Sequence, residues 1–163
     1  MQETRERTIR WEDPAASAGS IRGLSGIDAM RAVRDGAVPP PPIGVLMGFR
    51  LAEVDEGRVV FEGTPAEMHY NPIGSVHGGF ALALFDSALG CAVHTMLEAG
   101  VGYTTTDVQA RFIRGMTKDT GVVRCEAKAV HVGRSTAVAE ATLTDGKGRV
   151  LGIATTACAI LRR

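Results

Sequence analysis

The stretch from Val76 to Ala99, VHGGFALALFDSALGCAVHTMLEA, constrains the fold more than any other part of the chain. It is apolar on every side, so as a helix it has to be enclosed by other structure rather than lie on a surface. About 20 apolar residues also suffice to cross a bilayer. Asp86 would then sit near mid-membrane at a cost of about 2.5–3.5 kcal/mol, and His77, His94 and several small residues dilute the run further. The expectation is a helix buried in a globular core, with no membrane partner. In such a core Asp86 stands out, because a carboxylate is costly to desolvate unless something compensates it.

After this segment the apolar period switches from helical to two. TTTDVQARFI, GVVRCEAKAVHV, STAVAEATL and RVLGIATTACAIL each alternate apolar and polar residues, and the Asp-Gly step of TDGKG is a hairpin signal between the last two. Before it, Arg50 to Asp55 and Arg58 to Gly63 read as a hairpin turned at DEG. A strand pair, one buried helix and four meandering strands predict an α+β fold. Its antiparallel sheet of five or six strands wraps around the helix and hides both apolar surfaces.

The chain's 163 residues fit one domain with an amino-terminal extension. Residues 1–22 lack apolar periodicity and read as a mobile arm. SGIDAMRAVRDG places Ile27, Met30 and Val33 at helical spacing with Ser25 as N-cap. Pro39 to Pro42 form a stiff connector. The division expected is therefore 1–42 for the extension and 43–163 for the main domain.

Lys and Arg number 18, as do Asp and Glu, so charge draws the chain to neither nucleic acid nor an acidic membrane, and a small molecule is the expected partner. Cys91, Cys125 and Cys158 form no C-x-x-C pair, which signals neither a disulfide framework nor a zinc ribbon and suits a reducing cytoplasm. His69, His94 and His131 show no ligand spacing, so no metal is expected.

Asn71, Gly74, His77, Gly78, Gly79 and Asp86 fall in the pattern N-x-x-G-x-x-H-G-G-x6-D. This resembles the signature of hotdog-fold acyl-CoA thioesterases, particularly the phenylacetate-degradation type, and the order of elements over about residues 43–161 agrees. The resemblance implies hydrolysis of an acyl-CoA to free acid and coenzyme A without a cofactor. It also implies a homodimer with its central helices side by side, often paired again into a tetramer.

The residues offer what that chemistry needs. Negative charge develops on the thioester carbonyl oxygen, and the amides that open a helix are unpaired donors beside the positive end of the dipole. Gly79, or the neighbouring Gly78, is the expected oxyanion donor; the alternative is two glycines that only allow tight packing. Asp86 can serve as general base or nucleophile; alternatively it is a buried acid paired with Arg111 or with backbone donors. The resemblance further implies that Asn71 and His77 hold the loop and orient substrate, and that Arg134, in the turn HVGRST, lies where a coenzyme A phosphate is met.

Related enzymes place a hydroxyl near the acid. Four residues after Asp86 stands Gly90, so the helical variant is absent, while Thr105 matches the strand hydroxyl of the family. Strict alternation nevertheless puts Thr105 with Asp107, Gln109 and Arg111, and Thr104 and Thr106 on the other face. Pocket depth is expected to depend on Phe80, Leu84, Met47 and Met96 and on how the amino-terminal helix folds back.

One helix separates Gly78 from Asp86 by about 12 Å, too far to hold one thioester group. Two antiparallel helices about a two-fold axis would bring the start of one to the middle of the other. Competing readings are a non-catalytic acyl-CoA-binding hotdog module and, less favoured, a hotdog hydratase or dehydratase.

Overall fold

The computed structural model describes residues 3–162. Twelve elements build it: α1 (Pro14–Ile21), α2 (Gly26–Arg34), α3 (Pro42–Met47), β1 (Phe49–Asp55), β2 (Arg58–Gly63), a 3-10 turn, α4 (Gly78–His94), β3 (Gly102–Phe112), a second 3-10 turn, β4 (Val123–Val132), β5 (Thr136–Asp145) and β6 (Val150–Leu161). The six strands form one sheet in the order β1-β2-β4-β5-β6-β3, with every neighbouring pair antiparallel. This is the α+β sheet-around-helix arrangement that the period switch predicts, at its upper strand count.

Helix α4 fills the sheet's concave face. Phe80, Leu84, Phe85, Ala88, Leu89, Ala92 and Val93 are fully or almost fully buried. The strands opposite present Val59, Val123, Cys125, Ala127, Ala137 and Ala139, and this run of small residues leaves room for two phenylalanines. Burying each large side chain stabilises the fold by about 1.5–3 kcal/mol. Phe80 and Leu84, expected to set pocket depth, are instead 1% and 0% exposed and belong to this core.

The helix is not enclosed on every side within one chain. Leu82 is 39% exposed, Asp86 is exposed and Gly79 and Ala83 are half-buried, a stripe at helical spacing along one face. Beside that face β3 pairs, among the described residues, only with β6, which leaves its other edge unpaired, and Phe112 and Ile113 at its end are 56% and 53% exposed.

The amino-terminal part departs from an arm without regular structure. Pro14–Ile21 is helical because Pro14 fits the first turn and the Asp13 carboxylate accepts the Ala15 amide at 2.9 Å. Helix α2 starts at Ser25 as expected, with the Asp28 amide donating to Ser25 Oγ at 3.3 Å. Its Ala29 and Met30 join the same core as α4. The Gly26 amide donates to the Leu97 carbonyl at 2.9 Å, and a Cβ on Gly26 would lie 1.7 Å from the His94 carbonyl oxygen, so only glycine permits this approach. The last proline of the run, Pro42, opens α3 rather than only preceding it.

The outer face of β1, β2 and β4 carries alternating charges. Arg50 pairs with Glu62 at 2.6 Å, Glu62 with Arg124 at 2.6 Å, Arg124 with Glu53, Glu53 with Arg58 at 2.8 Å, and Arg58 with Glu126 at 2.8 Å. Arg50 faces Glu62 and Glu62 faces Arg124 directly across the strands, the closest positions a sheet offers.

Candidate active site

The loop before α4 is fixed by Asn71. Its Oδ1 accepts the Ile73 and Ser75 amides at 3.1 and 3.4 Å, and its Nδ2 donates to Ser75 Oγ at 3.3 Å. These bonds fold the side chain into its own turn. The His77 amide donates to the His69 carbonyl at 2.7 Å, which joins this loop to the 3-10 turn behind it. His69 stacks on Phe80 with ring centroids 4.7 Å apart and accepts the Ala66 amide at Nδ1, while its buried Nε2 has no partner among the described residues. Burial, and then the charge of Arg7, hold His69 below the ordinary imidazole pKa.

His77 caps α4 itself. Its Nδ1 accepts the Gly79 amide at 2.8 Å, so in this pairing the ring proton sits on Nε2. The preferred oxyanion donor of the sequence reading is thereby engaged. The Gly78 amide makes no hydrogen bond among the described residues, which leaves Gly78 as the open donor at the positive end of α4. A Cβ on Gly78 would come within 3.1 Å of the Phe112 ring, so glycine there also lets Phe112 lie against the helix start.

Two turns further on, Thr105 Oγ1 donates to Asp86 Oδ1 at 2.9 Å. Arg111 makes no ion pair with Asp86, and Oδ2 accepts no hydrogen bond among the described residues. Thr105 reaches the helix because β3 is bulged: Thr105 pairs with Cys158 and Asp107 with Ala157, leaving Thr106 as an extra residue. The bulge reverses the phase of alternation. Tyr103 and Thr105 face α4 before it, Val108 and Ala110 after it. Thr106 Oγ1 instead bonds the Ala157 carbonyl at 2.9 Å.

Tyr103, Cys91 and Cys158 complete the surroundings of Asp86. A Cβ on Gly90 would lie 2.8 Å from the Tyr103 hydroxyl, so the phenol occupies the place into which a side chain four residues after Asp86 would project. Burial first, and the Asp86 charge second, push the Cys91 thiol up to about 12. Burial likewise raises Tyr103, with Cys91, Cys158 and Asp86 adding to it. Both groups stay neutral at physiological pH and present an uncharged wall. Sequence reasoning missed Tyr103, whose only signal is its place two residues before Thr105 on a face that the bulge alone defines.

Arg134 lies exposed in the turn between β4 and β5, and no hydrogen bond or ion pair links its side chain to Asp86 or to the start of α4. Among the described residues no three His, Cys, Asp or Glu side chains converge as metal ligands, and no helix is long and apolar enough to cross a membrane.

The profile of the thioesterase superfamily matches residues 73–151. A 1,4-dihydroxy-2-naphthoyl-CoA hydrolase of Listeria monocytogenes is 26% identical over 117 residues, 72% of this chain and 94% of its own. The PaaI protein of the Escherichia coli phenylacetic acid degradation operon superposes with a TM-score of 0.72 at 18% identity, covering 86% of this chain and 96% of its own. A thioesterase of Streptococcus pneumoniae, solved with coenzyme A, has a TM-score of 0.64 at 22% identity over 71% of this chain and 88% of its own.

Proposed function

We propose that this chain, which belongs to the thioesterase superfamily and is a hotdog-fold thioester hydrolase, cleaves an aryl- or medium-chain acyl-CoA through Asp86 and the amide of Gly78. The observation that carries this reading is the state of Asp86. One carboxylate oxygen is held by Thr105 at 2.9 Å and the other is open on the exposed stripe of α4.

As general base, Oδ2 takes a proton from water while the hydroxide oxygen bonds to the thioester carbon. The carbonyl pair moves onto oxygen, where a helix-opening amide stabilises it. Collapse of the intermediate expels the coenzyme A thiolate, which takes up the proton from Asp86. As nucleophile, Oδ2 bonds to the same carbon, the intermediate breaks its C–S bond to expel the coenzyme A thiolate, and water then cleaves the resulting mixed anhydride to the free acid and the Asp86 carboxylate. His77 and Asn71 hold the loop in both cases, with His77 Nε2–H directed away from the capped amide. Arg134, without an acidic partner among the described residues, suits a coenzyme A phosphate.

Gly78 and Asp86 of one chain lie about 12 Å apart along α4, so the site is composite, with the two groups coming from different protomers of a homodimer, and a tetramer would form by pairing such dimers through other surfaces. The apolar stripe at Leu82 and the free edge of β3 support that assembly, since both leave in solvent what a second copy would cover. The naphthoyl-CoA hydrolase among the relatives supports an aryl substrate.

The test is release of free thiol from a panel of acyl-CoA esters. Asp86→Asn is expected to lower kcat/KM by roughly 10³-fold while mass and melting temperature stay unchanged. Thiol release at the parent rate in that variant would end the proposal.

A further inference from the structure

We propose that the amino-terminal segment walls an acyl-binding recess reserved for an uncharged group of bicyclic-aryl size, or an alkyl chain of like volume, and so sets specificity at the site read above. The inference rests on the thioesterase reading. A recess of about 350 Å³ opens between α1, α2 and the proline run on one side and β1, β2 and α4 on the other. Ile21, Met30 and Val33 line it from the amino-terminal helices, Leu51 and Phe61 from the sheet, and Cys91 from α4.

The recess is apolar, partly enclosed and within the size range of small-molecule pockets. An apolar cavity of about 150 Å³ accepts one benzene, which gives this one room for roughly two rings. Two cations touch the recess, and both are engaged: Arg34 with Asp35 at 2.7 Å and Arg50 with Glu62 at 2.6 Å. No free charge remains there to receive an acidic acyl tail.

The recess and the reaction centre both border α4, the recess through Cys91 and the reaction centre through Asp86. Cys91 lies five residues beyond Asp86, about 7.5 Å along the axis, and feels its charge. On this reading the acyl group runs from Asp86 past Cys91 into the recess, a distance comparable to the length of a bicyclic aryl group. Pro39 to Pro42 all line the space and give it a stiff wall. Residues 14–42 lie outside the match to the superfamily profile, which begins at residue 73. The wall therefore lies outside the matched segment.

Two substitutions fill the recess from its outer wall, far from the reacting atoms: Val33→Trp on α2 and Ala18→Trp on α1, a helix with no buried residue whose change leaves the core untouched. Each is expected to lower kcat/KM for naphthoyl-CoA by about 10–100-fold and to leave that for acetyl-CoA within about two-fold. A parallel titration uses a naphthyl thioether of coenzyme A, which cannot be hydrolysed, against coenzyme A alone. The naphthyl group should tighten binding to the parent protein, and both variants should abolish the gain. Equal loss for both esters, or a naphthyl gain that survives both substitutions, would overturn the recess. Failure of the parent protein to release thiol from any ester would strike the catalytic reading instead, and the thioether titration would still decide the recess.

Discussion

The two flanks of the sheet are finished differently. On the outer face of β1, β2 and β4, each charged side chain from Arg50 to Glu126 finds an opposite charge within the chain. On the other flank, Leu82, Phe112 and Ile113 stand in solvent beside an unpaired strand edge, and Asp86 points out among them with one oxygen free. Surfaces that one chain can satisfy are closed by pairs across strands. The surface to which the chemistry is assigned by proposal is left incomplete within one chain, as a site shared between two copies would be.

Substitutions on the two flanks should therefore differ sharply in effect. Leu82→Asp places a charge in the stripe that a second copy would cover; sedimentation should show monomers, with thiol release reduced by about 100-fold or more because each site loses half its groups. A dimer of full activity would break the comparison. Thr105→Val removes the hydroxyl on Asp86 without changing shape, and kcat should fall by about ten-fold with KM nearly constant, whereas Thr106→Val should leave both unchanged.

The smallest effect belongs to the charged flank. Arg124→Gln should cost at most about 1 kcal/mol, or a few degrees of melting temperature, because these pairs are solvent-screened. The hydrogen bond from Arg124, and next that from Arg58, holds the Glu53 carboxyl below its ordinary range. Its contribution is thus present above the ordinary glutamate value of about 4.3 and fades as pH falls through the lower folded value. Melting curves of Arg124→Gln should accordingly converge on those of the parent in acid.

Much of this was legible in the sequence. Six strands, their hairpins, the central helix and the outlying Asp86 all follow from period and turn chemistry. What was not legible depended on backbone detail or on distant neighbours. Alternation assigns Thr105 to the solvent face, and only the extra residue at Thr106 turns it inward, a phase change without a side-chain signature. Gly78 and Gly79 are indistinguishable by type, and it is the bond from the Gly79 amide to His77 that separates them. Residues 14–21 carry no apolar period because α1 buries nothing; a capping Asp13 before Pro14 was their one signal.

The contact of Gly26 with the end of α4 has a practical consequence. Because the backbone of α2 rests directly on the His94 carbonyl, the opening of the chain and the rod bearing the acid form a single mechanical piece. A shortened version beginning at the first strand would lose more than a tail: it would unclamp the far end of that rod and let the acid drift relative to everything it has to meet.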